Sequence, residues 1–170
     1  YRILIFRAFF VLNSPFAYNI INRLDFLLLL DILKIMASKV LFVVYDNGSY
    51  DNEFPMGIGA LTAILKQQGH EVSFWNQDIH HYPDEALTDF LDKNKFDVAV
   101  MSLIAGYYQY QKMKNLSKAI NRSKQRPFYI MGGYGPTPEP EFFLKKSGCD
   151  VVCMGGGRDY NQKINGCNRK

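Results

Sequence analysis

From Lys39 to Gly155 the chain alternates five times between a short apolar run, a loop of small residues and a stretch with apolar positions at helical spacing. The runs are KVLFVVYD, EVSFWNQD, FDVAVMSLIA, PFYIMGGYG and CDVVCMG. Near-continuous apolarity marks strands covered on both faces, as in a parallel sheet. The pattern predicts strands at Lys39–Asp46, Glu71–Trp75, Val98–Ile104, Phe128–Met131 and Val151–Met154. The first intervening helix opens at Pro55-Met56-Gly57, carries Ile58, Leu61, Ile64 and Leu65 on one face, and ends at Gly69, where a left-handed cap is usual. Helices are also expected over Pro83–Lys93 (Leu87, Phe90 and Leu91 inward), Tyr107–Arg122 (Met113, Leu116 and Ile120 inward) and Pro140–Lys146. Strands alternating with helices require right-handed crossovers and a parallel sheet. The expected fold class is α/β, a flavodoxin-like (Rossmann-like) doubly wound five-stranded parallel sheet of order 2-1-3-4-5, with Val98–Ile104 central.

The ends break the pattern. Residues 1–35 are rich in Phe, Leu, Ile, Asn and Tyr and hold no Met. The stretch LDFLLLLDILKI carries Asp25, Asp31 and Lys34, so it is no spanning helix, and no small-residue cleavage site follows a clean apolar stretch. An amphipathic helix at a membrane surface is one reading of it. The preferred one is translation from Met36, with residues 1–35 an upstream segment outside the fold. The domain is then 36–157, and 158–170 is an aberrant tail, polar and without periodicity. A one-base shift just after Gly155, under one choice of codons, reads GEGETIIKKLMDAIE, which has apolar residues at helical spacing. A frameshift is therefore the expectation there.

Composition adds limits. An apolar fraction of 48% and a charged fraction of 21% over 170 residues describe one globular domain. The net charge is +4, but residues 37–155 hold 12 Lys+Arg against 13 Asp+Glu, and the ends hold 8 against 3. The body is thus near neutral and lacks the clustered cations a nucleic-acid footprint needs. Cys149, Cys153 and Cys167 cannot all pair, and their spacing fits no zinc or iron–sulfur pattern. Reduced thiols and a cytoplasmic location follow.

Open parallel sheets bind ligands at the carboxyl ends of their strands, so the candidate chemistry lies there. Gly132-Gly133-Tyr134-Gly135-Pro136-Thr137 leaves the fourth strand without bulky side chains near the backbone. A flat or bulky ligand can approach such a turn closely; a tight strand-to-helix turn uses the same residues. Ser102, followed by Leu103 and Ile104, ends the third strand beside it and can donate a hydroxyl to a ligand or to backbone. Gly57-Ile58-Gly59 opens a helix but fails the dinucleotide fingerprint, which needs a third glycine and a turn directly after the strand. Tyr107, Tyr108 and Tyr110 can roof a planar ligand or pack as rim. His70, His80 and His81 form no metal set, and no triad or paired-carboxylate site is present, so no catalytic or metal-ligating residue is assigned.

Taken in order, PMGIGALTAILKQQGHEV, FDVAVMSLIAGYY and IMGGYGPTPEPEFFLKKSGCDVVCMGGG resemble the N-terminal cobalamin-binding domain of the cobalamin-dependent radical S-adenosylmethionine enzymes. That family reads P-x-G-x-G near the first helix, a Ser ending the third strand, GG-x-x-x-T-x-x-P-E after the fourth and G-E-G-E after the fifth. Here stand Pro55-Met56-Gly57-Ile58-Gly59, Ser102, and Gly132-Gly133 with Thr137 and Pro140-Glu141. Gly155-Gly156-Gly157 departs from the last motif, which the proposed base shift would restore.

The resemblance implies a cobalamin site. Ser102 and Gly132-Gly133 would line the pocket for the cofactor's nucleotide tail. The first-strand loop, with Asn47, Gly48, Ser49, Pro55, Met56 and Gly57, would face the lower side of the corrin ring. Leu103, Ile104, Tyr107, Tyr134, Gly135, Pro136, Thr137 and Gly155 complete the expected contacts. That loop holds no His, so no protein His ligand to cobalt is expected. The iron–sulfur cluster and S-adenosylmethionine belong to a radical domain in cis, whose C-x-x-x-C-x-x-C run this chain lacks. The resemblance therefore implies a truncated module of a methyltransferase- or cyclase-type enzyme, inactive alone, with no nucleic-acid partner and no membrane span. The alternatives are a stand-alone corrinoid carrier or regulatory protein, and a flavodoxin-like domain binding flavin or nucleotide.

Overall fold

The structure, a computed structural model, describes residues 20–21, 37–48, 54–104 and 106–154. Its strands are β1 (Ile20–Ile21), β2 (Lys39–Val44), β3 (Glu71–Asn76), β4 (Val98–Ser102), β5 (Phe128–Gly132) and β6 (Val151–Cys153). The helices are α1 (Met56–Gln67), α2 (Gln77–His80), α3 (Ala86–Asn94), α4 (Tyr107–Arg122) and α5 (Pro140–Ser147). The sheet runs β1-β6-β5-β4-β2-β3, with every pairing parallel. Numbered from Lys39 alone, the five strands follow the expected order 2-1-3-4-5, and β4 is central. β1 adds a two-residue pairing at the β6 edge, Ile20 opposite Val152 and Ile21 opposite Cys153.

Alternation along the strands divides the core in two. Leu41, Val43 and Tyr45 of the β2 run, with Ala99, Met101, Tyr129, Met131 and Val152, pack with Leu87, Leu91, Met113, Leu116 and Ile120 under α3, α4 and α5. Val40, Phe42 and Val44, with Val98, Ile130 and Val151, face the other way and meet Ile58 and Leu65 of α1. Tyr129 is wholly buried, and its hydroxyl lies 2.8 Å from the Ser117 hydroxyl on α4, which satisfies both polar groups in the interior.

Most element ends shift from the sequence expectation by a residue or two, β2 stopping at Val44 rather than Asp46, and three differences bear on the site. The strand expected over Glu71–Trp75 runs to Asn76, and Gln77-Asp78 of the run EVSFWNQD open a short helix. The Asn76 side chain accepts a hydrogen bond from Ile79 N–H at 3.2 Å and caps one helical turn, α2. The next helix then starts at Ala86 rather than Pro83, because Pro83–Glu85 form the turn into it. Finally, β4 ends at Ser102: Leu103 and Ile104 leave the strand and pack against the glycine turn that follows β5. Among the described residues no helix is long and apolar enough to cross a membrane.

Candidate functional site

The carboxyl ends of β2, β4 and β5 converge at the middle of the sheet, and each exit is held by a different device. Ser102 and Gly132 are the last register pair of β4 and β5. Both sit at even positions, so they face the α1 side, in line with Val98, Val100 and Ile130. A Cβ added to Gly132 would meet the Cys153 backbone oxygen at 3.5 Å and Cys153 Cβ at 3.6 Å, ordinary contact distances. Gly132 is therefore not forced by the fold, and it leaves the strand end beside Ser102 without a side chain.

The other two glycines are structural. Gly133 has φ +102, and a Cβ there would fall 2.3 Å from the Leu103 carbonyl oxygen; at Gly135 it would fall 2.2 Å from the Ile104 oxygen. Backbone meets backbone instead: Leu103 N–H donates to the Gly132 oxygen at 2.8 Å, and Gly135 N–H to the Leu103 oxygen at 3.1 Å. Thr137 Oγ1 donates to the Gly133 oxygen at 2.7 Å and closes the turn. Pro136 is buried. The expected Gly132–Thr137 cluster thus separates into one unstrained glycine at the strand end and a tight turn. Leu103 is buried in the core with Met101 and Met113, away from the Ser102 side.

The β2 exit is fastened from α2. Asp46 N–H donates to Gln77 Oε1 at 3.3 Å and Asn47 N–H to Asp78 Oδ1 at 2.8 Å. Gly48, in the left-handed region at φ +71, donates to Asp46 Oδ1 at 2.6 Å and leaves room for Tyr108, whose ring would stand 3.0 Å from a Cβ there. Gln77 and Asp78 are fully buried, and Gln77 Nε2 donates onward to the Tyr82 oxygen and to Asp84. Asp84 in turn holds Lys112 and Asn115 of α4. Burial would raise the Asp84 carboxyl, but hydrogen bonds from Gln77, Asn115 and Lys112 outweigh it and hold it below the usual carboxylate range. The Tyr45 hydroxyl accepts from Ile104 N–H at 3.2 Å and ties the β2 and β4 exits together; burial raises its pKa.

Among the described residues several large apolar side chains are exposed around this edge. Met56 is 86% exposed, Tyr107 79%, Tyr134 73% and Ile104 53%, with Phe54 and Tyr108 also exposed. Phe54 and Met56 lead from β2 into α1, Ile104, Tyr107 and Tyr108 lead from β4 into α4, and Tyr134 follows β5, so these groups gather at the same strand-end edge as Ser102 and Gly132. Such a gathering is the mark of a binding surface for a large, largely apolar molecule. Pro55 and Gly57 flank Met56 at the start of α1. Ser49 and Gly155 lie outside the described residues.

Sequence reasoning missed two features. Gln77 and Asp78, which fix the β2 exit, were assigned to no element; the Asn76 cap was the available signal. His81, placed in an exposed loop from sequence, is exposed but engaged: its Nδ1 lies 3.2 Å from Asp46 Oδ2. Burial would raise the Asp46 carboxyl, yet the Gly48 N–H, His81 and the charge of Lys112 hold it low. Among the described residues no group of three His, Cys, Asp or Glu gathers as a metal site.

Comparison with known proteins identifies the family and the fold. Residues 46–164 match the family model of the B12-binding domain. Among solved structures, the radical S-adenosylmethionine methyltransferase TsrM from Kitasatospora setae, with cobalamin and a [4Fe-4S] cluster bound, is 17% identical with a TM-score of 0.57. That match covers 66% of this chain and 23% of the enzyme, so the chain spans under a quarter of its length. The same enzyme with tryptophan and a S-adenosylmethionine analogue matches at 16% identity and TM-score 0.57, over 66% and 22% of the two chains. No curated protein matches.

Proposed function

Since the chain belongs to the B12-binding domain family, we propose that its cobalamin lies across the carboxyl edge of the sheet, with the nucleotide tail entering beside Ser102 and Gly132. The observation that carries this reading is the bare Gly132 paired with Ser102 at the strand ends, inside an exposed apolar rim. A corrin ring is broad and mostly apolar at its periphery, and the rim of Met56, Ile104, Tyr107 and Tyr134 offers matching surface. The tail ends in a flat base that needs a side-chain-free approach and a hydroxyl partner, which Gly132 and Ser102 supply. The chain's residues therefore fit the group.

In this reading the protein binds and orients the cofactor. Asn47 and Gly48, pinned through Gln77, Asp78 and Asp46, form a stiff floor under the ring. The first-strand loop carries no His, so the residues that would face the cofactor there offer it no imidazole, and the nearby His81 is engaged by Asp46. When bound, cobalamin supplies a cobalt–carbon bond from which a methyl group can be transferred. The radical half of such chemistry, with its cluster and S-adenosylmethionine, belongs to further sequence, since this chain carries no C-x-x-x-C-x-x-C run. We read the chain as the cobalamin module of a radical methyltransferase-type enzyme, a reading supported by the likeness to TsrM over under a quarter of that enzyme.

The test is retention. The full chain is mixed with hydroxocobalamin or with flavin mononucleotide and desalted. Corrinoid absorbance stays with the protein and flavin does not, and His81→Ala leaves the bound corrinoid spectrum unchanged. Retained flavin without corrinoid would replace this function with a flavodoxin-type one; a spectral shift in the variant would make His81 a cobalt ligand.

A further inference from the structure

Among the described residues β3 ends the sheet at the flank away from β6, and a cavity of about 460 Å³ opens there between the strand, α2 and α3. β3 stands two strands from β4, so this cavity is separate from the Ser102–Gly132 pair. Aromatic rings make its walls. The Trp75 ring lies 4.7 Å from that of Tyr82 and 5.0 Å from that of Phe90, centroid to centroid, and His80 stacks on Tyr82 at 5.1 Å. All four residues line the cavity. Such walls take up a flat apolar group through offset and edge contacts. Trp75 is only 6% exposed, and among the described residues its indole N–H has no hydrogen-bond partner. A buried indole N–H ordinarily finds an acceptor, so this wall lacks one that a ligand can bring.

The rim is charged and carries both signs. Asp89 and Lys93 line the cavity from α3, four residues apart and so neighbours on one helical face. Both are exposed, and among the described residues neither is in an ion pair. Opposite charges at this spacing can close on each other, yet here the two groups stand open. A lone cation in the cavity would meet the Lys93 ammonium, and a lone anion would meet the Asp89 carboxylate. A zwitterion answers both.

We propose that this cavity binds a free aromatic α-amino acid, with its ring against Trp75, Tyr82 and Phe90, its ammonium toward Asp89 and its carboxylate toward Lys93. The volume sits near the small end of ligand cavities, about 300–1,000 Å³, which suits a molecule of that size. The site is independent of whether cobalamin binds.

Trp75 is the chain's only tryptophan, so its fluorescence reports on the cavity directly. The full chain is titrated with L-phenylalanine, with phenethylamine, which lacks the carboxylate, and with 3-phenylpropionate, which lacks the ammonium. L-Phenylalanine should change the emission saturably, and each analogue should bind at least about tenfold more weakly, because each leaves one rim charge unanswered. Asp89→Asn should erase the preference over 3-phenylpropionate, and Lys93→Gln the preference over phenethylamine. Should either variant misfold, the three ligands on the unchanged chain decide. No saturable change at millimolar L-phenylalanine overturns the proposal, and so do equal affinities for the three compounds, which would reduce the cavity to an apolar hollow. An emission that shifts on dilution without ligand overturns it too, by giving the cavity to a second copy.

Discussion

Adjacent glycines at the β5 exit have opposite duties. Gly133 is held at φ +102 with backbone where its side chain would be, so Gly133→Ala should cost about 2–3 kcal/mol in urea unfolding. Gly132 has ordinary contact space, so Gly132→Ala should leave stability nearly unchanged, and Gly132→Leu should abolish cobalamin retention while far-ultraviolet circular dichroism stays the same. Equal stability losses at both positions would show that the open patch is only turn geometry. His70 offers a pH probe. It is buried, accepts from Ser38 N–H at 3.2 Å, and has no partner for Nε2. Burial lowers its pKa from 6.5, so the unfolded chain takes up the proton first as pH falls. Stability should therefore be full above pH 6.5 and decline below it until the folded-state pKa is passed, and His70→Gln should flatten this slope in denaturant melts. Ser102 and Gly132 were legible as a pair from sequence because both end apolar runs. The different backbone strain of Gly132 and Gly133 was not, because it depends on how near Leu103 comes.

Among the elements, α2 is the clearest departure from the pattern. Hydrophobic periodicity carries the strand through Trp75 but says nothing of a four-residue helix whose purpose is polar. Its Gln77 and Asp78 are buried to satisfy the N–H groups of Asp46 and Asn47, and Asp84, Lys112 and Asn115 complete the set. Removing one member of a buried polar set leaves the others unsatisfied. Asp84→Ala should thus cost about 1–3 kcal/mol, and lower cobalamin affinity by loosening the β2 exit. Calorimetry with and without ligand separates the two effects; a stability loss with unchanged affinity would detach this network from the site. The longer elements were readable because their apolar faces are broad: α4 buries Met113, Leu116, Ala119 and Ile120 at helical spacing. The β4 exit was overextended in sequence by two residues, since apolar Leu103 and Ile104 continue the run in composition while Gly133 and Gly135 draw their backbone into the turn.

At the scale of the whole molecule, the order of strands places the exits of β2, β4 and β5 together, and among the described residues Phe54, Met56, Ile104, Tyr107, Tyr108 and Tyr134 are exposed on the segments that follow them. Strand order was legible because alternating apolar runs of this length leave few right-handed solutions. The central claim is that the Ser102–Gly132 opening receives the cofactor's nucleotide tail. The direct measurement is a titration of the full chain with cobalamin and with cobinamide, which keeps the corrin ring but lacks that tail. Cobalamin should bind at least about 100-fold tighter, roughly 2.7 kcal/mol. Equal affinities for the two would mean that the opening between β4 and β5 takes no part in binding.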